Sequence, residues 1–355
     1  MLYEALRKDI LSGRFDPPKA FPSEMQLMRR FKLSRITVRR ALEELGRQGF
    51  ITSRQGAGTY VTRLGAAHRI GLIMPGIAYS EFYQPLVGEI LHQSASAGYE
   101  LILNEVYPSD RRNRRKTARL LAKRLIDAKV AGVIYQPLEY LSAADGTNQR
   151  ILEAFDAADI PVVLIDSDIE PPPARSPYDL VSVDNVDAGE RLARHLLEAG
   201  AKRIHFQMRA RCYPNVLKRM RGAFCALMER GRTIAPEDLL VAMPNDLSAI
   251  RRHMSARRRP DAIICESDTS AAELKLTLDR LGFSVPGDVQ LTGFDDIRIA
   301  SLVSPPLTTI HQPCADIART AFHRLLARIA NPALPPTELL LPSPLVVRAS
   351  TRRRT

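Results

Sequence analysis

The sequence predicts an α/β protein in two parts: a small helical head ending in a two-stranded wing, then a larger body of two lobes with parallel sheets. Three observations carry this expectation. Residues 1 to 63 are basic and hold three short amphipathic helical stretches, apolar runs of four or five residues alternating with helical stretches begin near Arg69, and a second such series begins at Ile204. A chain of 355 residues can build two or three cores.

Charge separates the parts. Residues 1 to 63 hold 13 Lys and Arg against 6 Asp and Glu, which is most of the net charge of +12, and Arg352, Arg353 and Arg354 supply part of the remainder. A basic head on a nearly neutral body is expected to meet a polyanion. No apolar run approaches the roughly 20 residues of a membrane span, and the N-terminus lacks the pattern of a secretory signal. A soluble, cytoplasmic protein without a membrane partner is expected. Cys212, Cys225, Cys265 and Cys314 are far apart and form no metal-ligand spacing, so buried reduced thiols and no metal or cofactor are expected.

In the head, Tyr3, Leu6 and Ile10 recur at helical spacing, and Ser12-Gly13 offers a stop. After Pro17-Pro18, Ser23 and Gln26 form a capping-box pattern ahead of Leu27, Met28 and Phe31. Ser34 can cap a third helix whose inward stripe is Val38, Ala41, Leu42 and Leu45, with Arg35 and Arg39 sharing a face near its start. Ile51–Arg54 and Thr59–Val61 read as strands around the turn Gln55-Gly56-Ala57-Gly58. Two short helices joined by a tight turn suit the major groove, and the second helix's N-terminus favours phosphate.

The string Pro22-Ser23-Glu24, Leu27, Phe31, Ser34-Arg35, Thr37-Val38-Arg39, Ala41-Leu42, Leu45, Gly49, Ile51, Gly56, Gly58-Thr59-Tyr60-Val61 resembles the gluconate-repressor (GntR) family of winged helices. The resemblance implies that Ser34, Arg35, Thr37 and Arg39 face double-stranded operator DNA from the recognition helix, while Gln55 and Gly56 approach the minor groove from the wing. Read from the residues alone, Ser34 is either a cap or a phosphate contact, and Gly56 and Gly58 serve either DNA approach or the turn itself.

Thr62 to His68 reads as a linker, which divides the chain into a head (1–63), a linker (64–68), a body (69–351) and a basic tail (352–355). The runs Ile70 to Met74, Tyr99 to Leu103, Ala131 to Tyr135 and Val162 to Ile165, then Ile204 to Met208, Ala262 to Cys265 and Val289 to Leu291, predict two α/β lobes with ligand bound beyond the strands' carboxyl ends. Several stretches resemble the lactose-repressor (LacI) family and its periplasmic-binding-protein-like fold. They are Ile70-Gly71-Leu72-Ile73, Ala97-Gly98-Tyr99, Pro161 to Asp166, Val183-Asp184-Asn185, His195 to Gly200, Arg219 with Gly222, Val285 to Val289, Gly293-Phe294-Asp295-Asp296, Pro306 to Ile310 and Val347 to Thr351. Head and body together are similar to hybrid regulators of which the arabinose repressors are the best-known kind.

That resemblance places an effector among Phe82, Tyr83, Asp166, Asn215, Arg219, Asp268 and Asp295. Carboxylates accept from hydroxyls, Arg donates through a planar fork and an aromatic ring packs on a sugar face, so a sugar or a derivative is implied. Asp295 could instead turn the chain, Phe82 and Tyr83 could be core, and Asp268 could cap a helix. No GxSxG, HExxH or GxxxxGK[ST] motif is present, which argues against an enzyme. The expected function is a homodimeric repressor whose operator affinity is set by its ligand. A regulator made active by its ligand and a transport-type sugar-binding protein are the alternatives.

Overall fold

The computed structural model describes residues 2–11, 14–15, 21–54, 58–61, 69–77, 80–106, 111–138, 145–210 and 212–351. The head has helices Leu2–Leu11, Glu24–Phe31 and Arg35–Arg47, then strands Ile51–Arg54 and Gly58–Val61 paired antiparallel. Its core joins Leu6, Ile10, Leu27, Val38, Ala41, Leu45, Phe50 and Ile51. Both caps form as the local sequence requires. Ser23 and Gln26 close a reciprocal capping box, and the Ser34 hydroxyl accepts from the Thr37 amide.

The first lobe is a six-stranded, wholly parallel sheet in the order Glu338–Leu341, Asp179–Val183, Val162–Ile165, Gly132–Tyr135, Arg69–Pro75, Glu100–Val106. The second has four parallel strands, Gln290–Thr292, Ala262–Cys265, Ile204–Met208 and Leu239–Val241. Burial on both faces of the central strands accounts for the uninterrupted apolar runs. The lobes are not consecutive in the chain. Helix Cys314–Ala330 and strand Glu338–Leu341 return to the first lobe, and the chain then re-enters the second, where Leu345–Val346 pairs with Thr309–Ile310. Of the cysteines expected to be buried, Cys225 is exposed and Cys212 and Cys314 are half-buried; all four are free thiols.

Helices Asn185–Glu198 and Pro214–Glu229 cross at backbone contact through Gly189 and Gly222. A Cβ on Gly189 would stand 2.0 Å from the Arg219 carbonyl oxygen, and one on Gly222 2.0 Å from that of Val186. Gly222→Ala is therefore expected to force the helices apart, at about 2–4 kcal/mol, and to lower the chemical-denaturation midpoint. An unchanged midpoint would refute the close-packing account.

Candidate ligand cleft and DNA-facing helix

Helix Arg35–Arg47, expected to be the recognition helix, presents a polar, cationic start. Ser34 Oγ lies 2.9 Å from Thr37 Oγ1, Arg35 Nε donates to Glu24 at 3.2 Å, and Arg39 Nε donates to Glu43 at 2.9 Å. Both guanidinium groups are well exposed, so these ion pairs are weak and readily given up for a phosphate. Ile36 and Arg40, which pattern reading passes over, are exposed beside them. Gln55 and Gly56 lie outside the described residues, as do residues 62–68, which include the expected linker, and the tail 352–355. Gly58 holds φ +100°, the positive φ expected of the wing turn.

Between the lobes lies a cleft of about 670 Å³, within the range of small-ligand sites. Phe82, Tyr83, Asp166, Asn215, Arg219 and Asp295 all line it. Asp166, Arg209 and Glu266 directly follow strands Val162–Ile165, Ile204–Met208 and Ala262–Cys265, and Asp295 lies three residues beyond Thr292, so the polar groups gather at carboxyl ends. Asp166 and Asp295 adopt φ 66° and 112°. Non-glycine residues rarely hold such values, and strain of this kind concentrates at functional sites.

Arg219 is buried and pinned. Its Nε donates to Asn185 Oδ1 at 2.8 Å, its Nη1 donates to the Glu266 carbonyl at 2.8 Å, and its guanidinium carbon stacks 3.4 Å from the centroid of Phe294. Burial lowers its pKa against the opposing pull of Asp295, Asp166, Glu266 and Asp268. Asp166 accepts from Gln136 Nε2 at 3.1 Å and from Asn215 Nδ2 at 3.3 Å. Burial raises its pKa, with Arg219, Gln136 and Asn215 opposing. Asp295 accepts from Gln312 Nε2 at 2.7 Å. Burial pushes its carboxyl up to about 7, although Arg219 and Gln312 favour the charged form. Glu266 forms an ion pair with Arg209, Nε to Oε1 at 2.9 Å, and accepts from the Arg209 amide at 3.1 Å and from Ser270 Oγ at 3.2 Å.

Asp268 is placed differently. Its carboxylate is turned from the cleft into the second lobe, where it accepts from Thr309 Oγ1 at 2.6 Å and from the Ile297 amide at 3.0 Å. The cap of its helix is Ser267, whose hydroxyl accepts from the Ser270 amide at 3.2 Å. A Cβ at Gly293 would stand 2.0 Å from Asp268 Oδ1, so only glycine fits there. Asp268 thus holds the turn that carries Asp295. Phe82 and Tyr83 belong at once to the first lobe's core and to the cleft wall, with ring centroids 5.1 Å apart. Pattern reading misses Gln136, Asn185, Glu266 and Gln312, although each has a visible signal, a polar residue just past the end of an apolar strand.

Residues 1–61 match the model of the gntR family of bacterial regulatory proteins, and residues 193–351 match that of the periplasmic binding protein-like domain. The chain is similar to the arabinose metabolism transcriptional repressor of Geobacillus stearothermophilus, 26% identical over 358 residues, covering 97% of this chain and 94% of that one. The HTH-type transcriptional repressor PurR of Klebsiella pneumoniae (strain 342) is 28% identical over 272 residues, covering 74% and 73%. Among solved structures, the complex of the transcriptional regulator CelR with cellobiose matches at a TM-score of 0.69 and 21% identity over 98% of both chains. A LacI family transcriptional regulator of Enterococcus faecalis V583 with bound ribose matches at 0.65 and 26%, over 81% of this chain and 100% of that one. These relatives are regulators and not enzymes, and no helix among the described residues is long and apolar enough to cross a membrane. The chain is a transcription regulator of hybrid build, with a head that matches the gntR family of bacterial regulatory proteins and a C-terminal part that matches the periplasmic binding protein-like domain.

Proposed function

We propose that the chain is a homodimeric repressor whose hold on a palindromic operator is released when a small polyol, a sugar or sugar derivative, occupies the cleft. The observation that carries this is the set formed by Asp166 and Asp295, just beyond strand ends, and Arg219 of helix Pro214–Glu229, gathered in the cleft against Phe82 and Tyr83. Carboxylates and a guanidinium fixed at different angles match vicinal hydroxyls, and the aromatic edge suits the apolar face of a ring. Asn215 of the second lobe already reaches Asp166 of the first, so a ligand between them biases how the lobes sit and hence the spacing of paired heads. Leu91 and Leu103 on the outer side of the first lobe, and Val241, Met243 and Leu247 on the second, are exposed apolar side chains suited to a second copy.

A thermal-shift panel of pentoses, hexoses, uronates and polyols on the purified protein tests the reading. One sugar class is expected to stabilise the fold by about 2.7 kcal/mol at a hundredfold excess over Kd and to weaken operator binding at least tenfold, with a dimer in light scattering. No stabilising sugar would sink the effector assignment, and a sugar that tightens operator binding would reverse the sign of control.

A further inference from the structure

Helix Arg111–Asp127 carries eight Lys and Arg and one acidic residue, Asp127. Its apolar stripe, Ala118, Leu121, Ala122 and Leu125, is buried with Ile73 and Val106 of the first lobe's sheet. The opposite face exposes Lys116, Arg119, Lys123 and Arg124. Lys123 pairs with Asp127 at 3.0 Å, and among the described residues Lys116, Arg119 and Arg124 form no ion pair. A solvated helix face ordinarily interleaves both signs at four-residue spacing. Arg115 pairs with Asp145, but the exposed face of Lys116, Arg119, Lys123 and Arg124 carries one sign with a single acidic partner, Asp127, and repels itself unless an anion covers it.

Its position narrows the anion. The helix leaves the cleft end of the sheet after strand Glu100–Val106 and runs back toward the strands' amino ends, where the Ala131 amide donates to the Arg69 carbonyl at 2.8 Å. Arg69 is the first body residue after the linker, so Lys123 and Arg124, in the last turns, stand at the end of the lobe that the head is tied to. The seven residues between Val61 and Arg69 reach at most about 25 Å. Heads seated on a duplex therefore hold this end of each lobe close to the DNA on either side of the operator.

We propose that the Lys116, Arg119, Lys123 and Arg124 face is a second DNA contact that meets phosphates flanking the operator, with Lys123 and Arg124 nearest the duplex, and adds affinity without sequence preference. It rests on the operator-binding reading and goes beyond it.

The full-length protein is titrated with a duplex ending at the operator and with one carrying about 15 further base pairs, some 50 Å, on each side, over a range of salt. The native chain is expected to bind the flanked duplex about 10- to 100-fold more tightly and with a steeper salt dependence, as counterion release by added phosphate contacts requires. Replacing Lys116, Arg119, Lys123 and Arg124 by Gln together is expected to erase both differences while leaving the short duplex bound and the melting temperature unchanged. Arg119→Lys with Arg124→Lys should keep the advantage, since a phosphate accepts a point charge as well as a fork. Equal length and salt dependence in the native and Gln proteins overturns the proposal and reassigns the face to an acidic protein. That failure is distinct from failure of the operator reading, in which the short duplex itself is not bound.

Discussion

Asp295→Asn is expected to abolish the effector response, weakening sugar binding by two orders of magnitude or more, while operator affinity in the absence of sugar stays within about twofold. The carboxylate sits on a strained turn (φ 112°), and it accepts from the Gln312 side chain within the protein. Each hydroxyl it accepts makes a charge-assisted bond of about 1.5–3 kcal/mol. An amide of the same shape keeps the turn but loses the charge. The same residue sets a pH dependence whose sign is fixed by its carboxyl standing near 7. A hydroxyl donor favours the ionised form, so calorimetric affinity should rise with pH up to about 7 and level off above, falling by up to tenfold per unit on the acid side. Stability of the empty protein runs the other way. A carboxyl raised by burial contributes full stability only below its unfolded pKa, and that contribution is lost as pH rises through the folded value near 7. Asp295→Asn should therefore melt higher than the native chain at pH 8, by about 1–2 kcal/mol once cleft water is allowed for, and no higher at pH 4. A variant that keeps both its sugar response and the native pH profile would remove Asp295 from the site.

What is legible in the sequence follows the range of the interactions. Capping of Ser23 and Ser34 is settled within three residues, and both hydroxyls accept as their spacing requires. The run Gly293-Phe294-Asp295-Asp296 is conspicuous in the sequence, and its four residues divide the labour of the turn. Gly293 admits Asp268, Phe294 stacks on Arg219, Asp295 faces the cleft and Asp296 pairs with Arg348. Asp268 is the one residue of the expected effector set that the cleft does not contain. An aspartate one residue after a strand-to-helix turn looks the same in sequence whether it points into a cleft or back onto Thr309, because the deciding partner lies 41 positions away. The return of Glu338–Leu341 to pair with Asp179–Val183 is equally non-local. Charge averaging hides the rest. A body that is nearly neutral in sum contains one helix with eight cationic residues against a single acid, balanced by carboxylates elsewhere.

Arg39→Ala is expected to weaken operator binding by about two to four orders of magnitude without unfolding the head. One lost contact to a guanine edge or phosphate is worth about 1–3 kcal/mol, and a dimer loses it twice. The salt dependence of binding should drop by about two units, one released counterion per protomer. Stability should hardly change. The Arg39 side chain is 68% exposed and its partner Glu43 63%, an i, i+4 surface pair worth no more than about 0.5 kcal/mol. The helix itself is fixed by Val38, Ala41 and Leu45, which are buried on its other side. A fold-wide fall in melting temperature would show that Arg39 acts through structure instead. Arg35→Ala separates the two arginines further, because its guanidinium reaches Glu24 of the preceding helix at 3.2 Å. Loss of binding there with a modest loss of helix–helix registry would mark Arg35 as a residue that also orients the recognition helix, whereas a clean loss of affinity equal to that of Arg39 would place both on the DNA.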